Sequence, residues 1–166
     1  MNCKRCTSND NVNTLIGWSD SDWGQDTDSQ RSITGYLLLI NASLVAWKST
    51  SQTSVTLSSS EAEWTALVYG GRHAYFLCEI LQEMKIAEQE MSWFCDNNGT
   101  IQAASKAGFG RRTKHVDVKL ECMRGYARNG TIALNYVSTE EQMMDIVTKR
   151  LHKSLVTSFF EKVLSK

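Results

Sequence analysis

Residues 91–96 read Met-Ser-Trp-Phe-Cys-Asp, a short apolar run that ends on an acidic side chain. Such a run is typical of a central strand that is buried on both faces of a sheet. Asp96 then falls at the carboxyl end of that strand, the edge where open α/β sheets usually place ligands. The stretch therefore predicts an α/β or α+β domain with a functional residue at the edge of its sheet.

Apolar and alternating patterns predict further strands and helices on both sides of this stretch. Three serines at 58–60 precede the longest helical pattern, and hydroxyl side chains are common caps at the start of a helix. The predicted order is an antiparallel meander of three strands, a long helix, the strand at 91–95, helices, a strand and terminal helices. The strands are expected at 15–19, 33–40, 44–48, 91–95 and 131–137, and the helices at 60–84, 100–106, 116–127 and 155–164.

Thr139 and Gln142 stand three residues apart, in the pattern of a capping box. A capping box satisfies backbone N–H groups at the beginning of a helix. The pattern therefore predicts that a helix begins at Thr139 and carries Asp145.

Length and composition indicate one soluble globular domain. The chain has 166 residues, 42% of them hydrophobic and 22% charged, which excludes a disordered or collagen-like chain. We find no apolar run near the roughly 20 residues that a membrane-spanning helix needs. The 18 basic and 18 acidic residues balance, so net charge gives no indication of a nucleic-acid partner.

Five cysteines, an odd number without a regular framework, favour reduced thiols and an intracellular protein. Cys3 and Cys6 form one C-x-x-C pair, but a zinc site needs a second pair of ligands, which we do not find. The polar residues 1–12 are expected to be a lead-in or the stub of a longer polyprotein. Residues 13–166 are expected to form the domain.

Four acidic residues occupy positions where their surroundings favour other residue types. Asp20 lies on the apolar face of the first strand, Glu63 on the apolar stripe of the long helix, and Asp96 at a strand end. Asp145 falls among apolar neighbours. Each alone has a simple explanation, such as a turn, a helix N-terminus or a solvated helix surface.

Together the four carboxylates predict a metal centre. Buried carboxylates that are close in space are unfavourable unless protons or cations neutralise them. Mg²⁺ prefers oxygen ligands, and two such ions about 3.5–4 Å apart are a recurring device for attack on phosphodiesters. Spacing along the chain does not establish that the four residues meet.

Six ordered motifs closely resemble the ribonuclease H domain of copia-type (Pseudoviridae) LTR retrotransposon Pol polyproteins. The resemblance runs in register from about Lys4 to the last predicted helix. The motifs are Leu-Ile-Gly-Trp-Ser-Asp-Ser-Asp-Trp (15–23), Arg-Ser-Ile-Thr-Gly-Tyr (31–36), Leu-Ser-Ser-Ser-Glu-Ala-Glu-Trp (57–64), Phe-Cys-Asp-Asn-Asn (94–98), Arg-Thr-Lys-His-Val-Asp (112–117) and Thr-Glu-Glu-Gln-Met-Met-Asp-Ile-Val-Thr-Lys (139–149).

The resemblance implies a ribonuclease H-like α/β fold, in which a five-stranded mixed sheet of three antiparallel and then two parallel strands is flanked by helices. It implies an endonuclease that hydrolyses the RNA strand of RNA–DNA hybrids during reverse transcription. Two Mg²⁺ ions, with Mn²⁺ as a substitute, would serve as cofactors. The family's catalytic and metal-binding carboxylates fall on Asp20, Glu63, Asp96 and Asp145.

The resemblance also implies partners and a location. The partners are an RNA–DNA hybrid and the reverse transcriptase polymerase domain of the same polyprotein, and we expect no membrane association. We expect a monomer in isolation, located in the cytoplasm within a retrotransposon particle or in the nucleus.

Two acidic neighbours are expected to stay outside the metal-binding set. The family pattern places the ligand at Asp20 and leaves Asp22 free, and Glu61 lies about 200° around the helix from Glu63 and should face solvent. The segment 136–145 contains no histidine, although many cellular ribonucleases H have one there to assist product release.

Contacts to nucleic acid are expected from polar side chains near Asp96 and from a basic segment. Ribose 2′-hydroxyls would be contacted by the amides and by the serines at 58–60, and phosphates by the basic side chains. The alternatives are that the polar groups cap helices and that the basic segment is a solvated helix terminus. The candidates are Asn97, Asn98, Gln102, Arg111, Arg112 and Lys114.

Two other functions remain open from the sequence. The first is a non-catalytic or domesticated ribonuclease H-like binding module. The short length and the zero net charge of the chain favour it. The second is a transposase or integrase catalytic domain of the same fold superfamily, whose carboxylate set usually lacks an equivalent of Glu63.

Overall fold

The computed structural model describes residues 13–24, 30–86, 90–105, 114–149 and 157, with only the backbone at 114–119. The predicted lead-in at 1–12 and the predicted helix at 155–164 therefore lie outside the described residues, apart from position 157. The elements are β1 (Leu15–Asp22), β2 (Ile33–Ile40), β3 (Ser43–Ser51), α1 (Ser59–Glu83), β4 (Met91–Cys95), α2 (Asn98–Ser105), α3 (Lys114–Arg128), β5 (Ile132–Tyr136), a 3₁₀ turn (Thr139–Glu141) and α4 (Asp145–Thr148).

The strands form one five-stranded mixed sheet in the order β3-β2-β1-β4-β5. β1 pairs antiparallel with β2, and β2 pairs antiparallel with β3. β4 lies parallel to β1 on one side and to β5 on the other. The predicted five-stranded mixed sheet of an α/β fold, with three antiparallel and then two parallel strands, is confirmed.

One face of the sheet packs against α1 around the indole of Trp93, which is fully buried. Two glycines make room for this ring: a Cβ atom would lie 2.4 Å from it at Gly17 and 2.7 Å from it at Gly70. No alanine fits at such distances without displacing the ring. The glycine at position 70 therefore lets the helix approach the sheet closely.

The opposite face of the sheet carries a smaller apolar cluster that includes Trp18 and Met144. Trp18 stacks on Phe94 of β4, with 5.4 Å between the ring centroids. Phe94 and Ser92 are half-buried, so the prediction that β4 is buried on both faces is correct only for the face toward α1. On the second face the described helix is α4, whose four residues pack mainly against β1, β2 and β3.

The prediction that a helix begins at Thr139 is wrong. Residues Thr139–Glu141 form a single 3₁₀ turn, and the helix that carries Asp145 begins only at Asp145 itself. The two side chains of the expected capping box bond elsewhere: the Thr139 hydroxyl donates to Asp96, and the Gln142 amide donates to the carbonyl of Ser19 at 3.1 Å. Tertiary hydrogen bonds replace the local ones.

None of the helices in the described part of the chain is both long and apolar enough to cross a membrane.

Candidate metal centre

Asp20 lies near the end of β1 and is 1% exposed. Its Oδ2 atom accepts a hydrogen bond from the hydroxyl of Thr148, at the end of α4. Burial raises the pKa of Asp20 to about 6, against the opposing effects of the Thr148 hydrogen bond and the charge of Lys149. This carboxylate is therefore fixed in place and easily protonated.

The first turn of α1 is built so that Glu63 points at the sheet. The helix begins because the Ser58 hydroxyl accepts a hydrogen bond from the N–H of Glu61 at 3.2 Å. The Glu61 carboxylate accepts one from the N–H of Leu57 at 2.9 Å. With the start of the helix fixed, Glu63 lies on its buried side.

The two carboxylate oxygens of Glu63 have different surroundings. Oε1 accepts hydrogen bonds from the N–H and the hydroxyl of Ser21, at 3.2 and 3.0 Å. Oε2 is buried and has no hydrogen-bond partner among the residues that the structure describes. Burial, followed by the charges of Asp20 and Asp96, raises the pKa of Glu63 to about 8. Near neutral pH this carboxyl group retains its proton unless a cation replaces it.

Asp96 follows β4 directly and is half-buried. Its Oδ2 atom accepts a hydrogen bond from the Thr139 hydroxyl at 3.1 Å. One carboxylate oxygen each of Glu63 and Asp96, together with Sγ of Cys95, lie within 4.8 Å of one another. These three side chains are close enough to share one cation.

Asp145 is the first residue of α4 and is half-buried. Lys149 donates a hydrogen bond to its Oδ1 atom, and the same ammonium lies 3.9 Å from Oδ2 of Asp20. Asp145 also raises the pKa of Asp20 through its charge, although burial is the larger cause. All four predicted carboxylates therefore belong to one electrostatic cluster, which contains Asp20, Glu63, Asp96 and Asp145; we call it the carboxylate cluster.

The carboxylate cluster fits divalent cations that prefer oxygen ligands. Its decisive feature is the Oε2 atom of Glu63, since a buried acceptor with no partner among the described residues is costly. The supporting hydrogen bonds from Ser21, Thr139 and Thr148 orient three of the carboxylates, as partners behind metal ligands commonly do.

Sequence reasoning did not identify the residues that support the cluster. Thr139 and Thr148 lie within the motif at 139–149, and Ser21 lies beside Asp20, but nothing in their spacing marks them as partners of particular carboxylates. For Cys95 the sequence predicts only a strand residue with a reduced thiol. A signal for Lys149 existed, because a lysine four residues after Asp145 on a helix is a common ion pair.

The residues expected to contact nucleic acid have mixed surroundings. The side chain of Asn97 accepts a hydrogen bond from the N–H of Thr100 at 3.0 Å, so it caps α2. Ser58 caps α1 in the same way. Asn98 and Gln102 are exposed on α2, close in sequence to Asp96.

The basic segment falls outside what the structure describes. Arg111 and Arg112 are not among the described residues, and for Lys114 only the backbone at the start of α3 is. Of the two acidic neighbours, Asp22 is half-buried at the end of β1, where burial raises its pKa, and Glu61 is half-buried rather than fully solvent-facing.

Comparison with known proteins gives relatives over most of the chain. The Retrovirus-related Pol polyprotein from transposon TNT 1-94 of Nicotiana tabacum is 32% identical over 135 residues, which cover 81% of this chain and 10% of the polyprotein. The Retrovirus-related Pol polyprotein from transposon RE2 of Arabidopsis thaliana is 29% identical over 154 residues, which cover 92% of this chain and 11% of that polyprotein. The chain is homologous to copia-type retrotransposon Pol polyproteins. It spans about a tenth of the length of these Pol polyproteins, and no protein-family model matches it.

Solved structures similar to this Pol homologue share its fold. The N-terminal RNase H domain of a Mycobacterium tuberculosis protein, solved as a fusion with maltose-binding protein, superposes with a TM-score of 0.57 at 13% identity. That match covers 89% of this chain and 99% of that one. LC11-RNase H1 in complex with an RNA/DNA hybrid gives a TM-score of 0.55 at 12% identity, covering 81% and 93%. The fold is therefore the ribonuclease H fold.

Proposed function

We propose that this chain is a ribonuclease H domain, a metal-dependent endonuclease that hydrolyses the RNA strand of RNA–DNA hybrids during reverse transcription. The observation that carries the proposal is the Oε2 atom of Glu63, which is buried within a cluster of four carboxylates and has no partner in the described part of the chain. A divalent cation supplies the missing partner. The ribonuclease H fold and the homology to Pol polyproteins support this choice of reaction.

In this proposal Asp20, Glu63, Asp96 and Asp145 bind two Mg²⁺ ions, or Mn²⁺ in their place. When bound, such ions activate water and stabilise the leaving 3′ oxygen of an in-line displacement.

The other residues of the site orient the carboxylates. Ser21 fixes the rotamer of Glu63 through two hydrogen bonds, and Thr139 fixes that of Asp96 through one. Thr148 does the same for Asp20. Burial of Asp20 and Glu63 removes competing water from one side of the site and strengthens their attraction for a cation.

The proposed substrate is an RNA–DNA hybrid, and the proposed partner is the reverse transcriptase polymerase domain of the same polyprotein. The exposed amides of Asn98 and Gln102 lie on α2, which begins two residues after Asp96, where they would contact ribose hydroxyls in the minor groove. LC11-RNase H1, which shares the fold, was crystallised with such a hybrid. The basic residues Arg111, Arg112 and Lys114 remain proposed phosphate contacts.

Cleavage of a labelled RNA–DNA hybrid tests the proposal directly. We expect cleavage of the RNA strand with Mg²⁺ or Mn²⁺, none with a chelator, and little on single-stranded RNA or duplex DNA. Asp96→Asn should reduce the rate by at least about two orders of magnitude. Asp22→Asn is the matched control and should retain activity. Full activity of Asp96→Asn would overturn the site assignment.

A non-catalytic binding module is the second candidate, and one observation favours it. The ammonium of Lys149 already neutralises part of the cluster by pairing with Asp145 and Asp20. A module that never binds metal would need such an internal cation. Titration with Mn²⁺ separates the candidates: absence of binding, or binding without cleavage when the polymerase domain is supplied, would favour the module.

A further inference from the structure

The side chain of Lys149 extends into the carboxylate cluster. Its ammonium donates a hydrogen bond to Oδ1 of Asp145 and lies 3.9 Å from Oδ2 of Asp20. The lysine side chain is 32% exposed, whereas those of Asp20 and Asp145 are 2% and 19% exposed. Charges in such partly buried surroundings interact more strongly than pairs on an open surface.

Carboxylates from several elements act on this ammonium. Asp20 and Asp22 belong to β1, Asp96 follows β4, and Asp145 begins α4; each of them interacts with Lys149 through its charge. Although burial opposes it, attraction to Asp145 and Asp20 raises the pKa of Lys149 above its ordinary value. The ammonium therefore stays charged throughout the physiological range.

Lys149 and Thr148 approach the same oxygen atom. Oδ2 of Asp20 accepts the Thr148 hydroxyl and faces the ammonium of Lys149. A divalent cation that binds Asp20 and Asp145 together would have to lie close to the position of this ammonium, and two cations there would repel each other. The lysine has a flexible four-carbon stem, so its ammonium can move away without unfolding α4.

We propose that Lys149 is a tethered counter-ion that competes with divalent cations for Asp20 and Asp145, and thereby weakens metal binding at the carboxylate cluster. This inference rests on the proposed metal-binding function of the cluster. Because the competitor is attached to the chain, dilution does not remove it. The metal affinity is thus set by exchange of one cation for another, and not by binding to bare carboxylates.

Calorimetric titration with Mn²⁺ and with Mg²⁺ tests the inference without any need for activity. Lys149→Met keeps the length of the side chain and removes the charge, and we expect the dissociation constant to fall about threefold to tenfold. Lys149→Arg retains the charge and should bind metal about as wild type does. Lys85→Met is the matched control, since Lys85 is exposed just beyond α1, at the opposite end from Glu63, and should change nothing.

A second measurement uses thermal unfolding. In a chelator, Lys149→Met should melt below wild type because the carboxylates lose their counter-ion, and saturating Mn²⁺ should remove that difference. If Lys149→Met does not fold, Lys149→Gln, which can still donate a hydrogen bond, takes its place. An unchanged or weaker metal affinity in the folded variant would overturn the inference.

The possible outcomes separate this inference from the proposed function. Tighter binding in Lys149→Met without cleavage of hybrid by wild type would support the counter-ion and contradict the nuclease. Cleavage of hybrid by wild type, together with unchanged metal affinity in Lys149→Met, would support the nuclease and contradict the counter-ion. If neither wild type nor the variant binds metal, both are wrong.

Discussion

Ser21 donates two hydrogen bonds to one atom of Glu63. The backbone N–H and the hydroxyl both reach Oε1, at 3.2 and 3.0 Å, across the junction between β1 and α1. The residue before Ser21 is Asp20, so neighbouring positions on one strand provide a carboxylate and the support for another. The strand and the helix are thereby joined at the cluster itself, and the position of Glu63 depends on the end of β1.

Removal of the Ser21 hydroxyl should weaken the site without disturbing the fold. In Ser21→Ala the backbone N–H still donates to Glu63, but one of the two bonds is lost. We expect Mn²⁺ affinity and hybrid cleavage each to fall about tenfold, the scale typical of partners behind metal ligands. Ser105→Ala, at an exposed position on α2, is the control. If Ser21→Ala matched wild type in both assays, Ser21 would have no orienting role.

The stability of the protein in a chelator should fall as the pH rises. The pKa of Glu63 is raised from 4.5 to about 8, so the folded state binds this proton more tightly than the unfolded state does. The stabilisation is complete below about pH 4.5 and is lost as the pH rises to about 8. The pKa of Asp20 is raised in the same direction, from 3.8 to about 6, so its contribution to stability is lost as the pH rises across that range.

Glu63→Gln removes the larger contribution to this pH dependence. At pH 8 in a chelator we expect the variant to melt several degrees above wild type. For a chain of this size, each kcal/mol added to the free energy of unfolding raises the melting temperature by about 2–4 °C. The slope of melting temperature against pH should flatten. Glu61→Gln, which alters a carboxylate outside the cluster, should keep the steep slope. A lower melting temperature for Glu63→Gln at pH 8 would contradict the assigned cause.

Substitution of Gly70 by alanine should destabilise the protein, although alanine is the better helix former. The added Cβ would lie 2.7 Å from the ring of Trp93 and 2.8 Å from Cβ of Tyr36. Overpacking of this kind costs about 1–3 kcal/mol, against a gain in helix propensity of about 1 kcal/mol. Gly125→Ala is the matched control on α3, where an added Cβ would meet no described atom within 4 Å apart from its own stretch of helix backbone, and it should be stabilising. Urea denaturation of both variants measures the difference.

The three described cysteines should react very differently with iodoacetamide at pH 8. Burial raises the pKa of Cys95 to about 12 and that of Cys78 to about 11, so both remain protonated and shielded. Cys122 is exposed on α3. Mass spectrometry of the native protein should find Cys122 alkylated and the other two unmodified, and all three should react in urea. Rapid labelling of native Cys95 would show that β4 opens near the cluster.

The sheet was largely predictable because apolar runs bounded by polar residues mark strands well. The predicted bounds match at β2 and β4, Ile33–Ile40 and Met91–Cys95. β1 extends beyond the predicted end at residue 19, because backbone pairing with β2 continues to Asp22 opposite Ile33. Backbone hydrogen bonds of that kind leave no mark on the side-chain pattern.

The four acids of the site were recognisable because a carboxylate on an apolar face is exceptional, whereas their partners are ordinary polar residues. The pair of Lys149 with Asp145 is local, but the contacts of Ser21 with Glu63 and of Lys149 with Asp20 form only when distant segments meet. The pattern of Thr139 and Gln142 misled for the same reason: local spacing favours a capping box, but the folded chain brings Asp96 and Ser19 within reach of these side chains.

That arrangement limits how such domains can be recombined. Between β5 and α4 the chain is hydrogen-bonded through Thr139 to Asp96, just after β4, and through Gln142 to Ser19 of β1, before it reaches Asp145. An insertion between positions 139 and 145 would lengthen a segment that these two hydrogen bonds hold in place, and it would displace Asp145. Residues added outside the sheet, beyond its edge strand β3, would leave Asp145 in place. A chimaera should therefore inherit β1, β4 and this connection from a single parent.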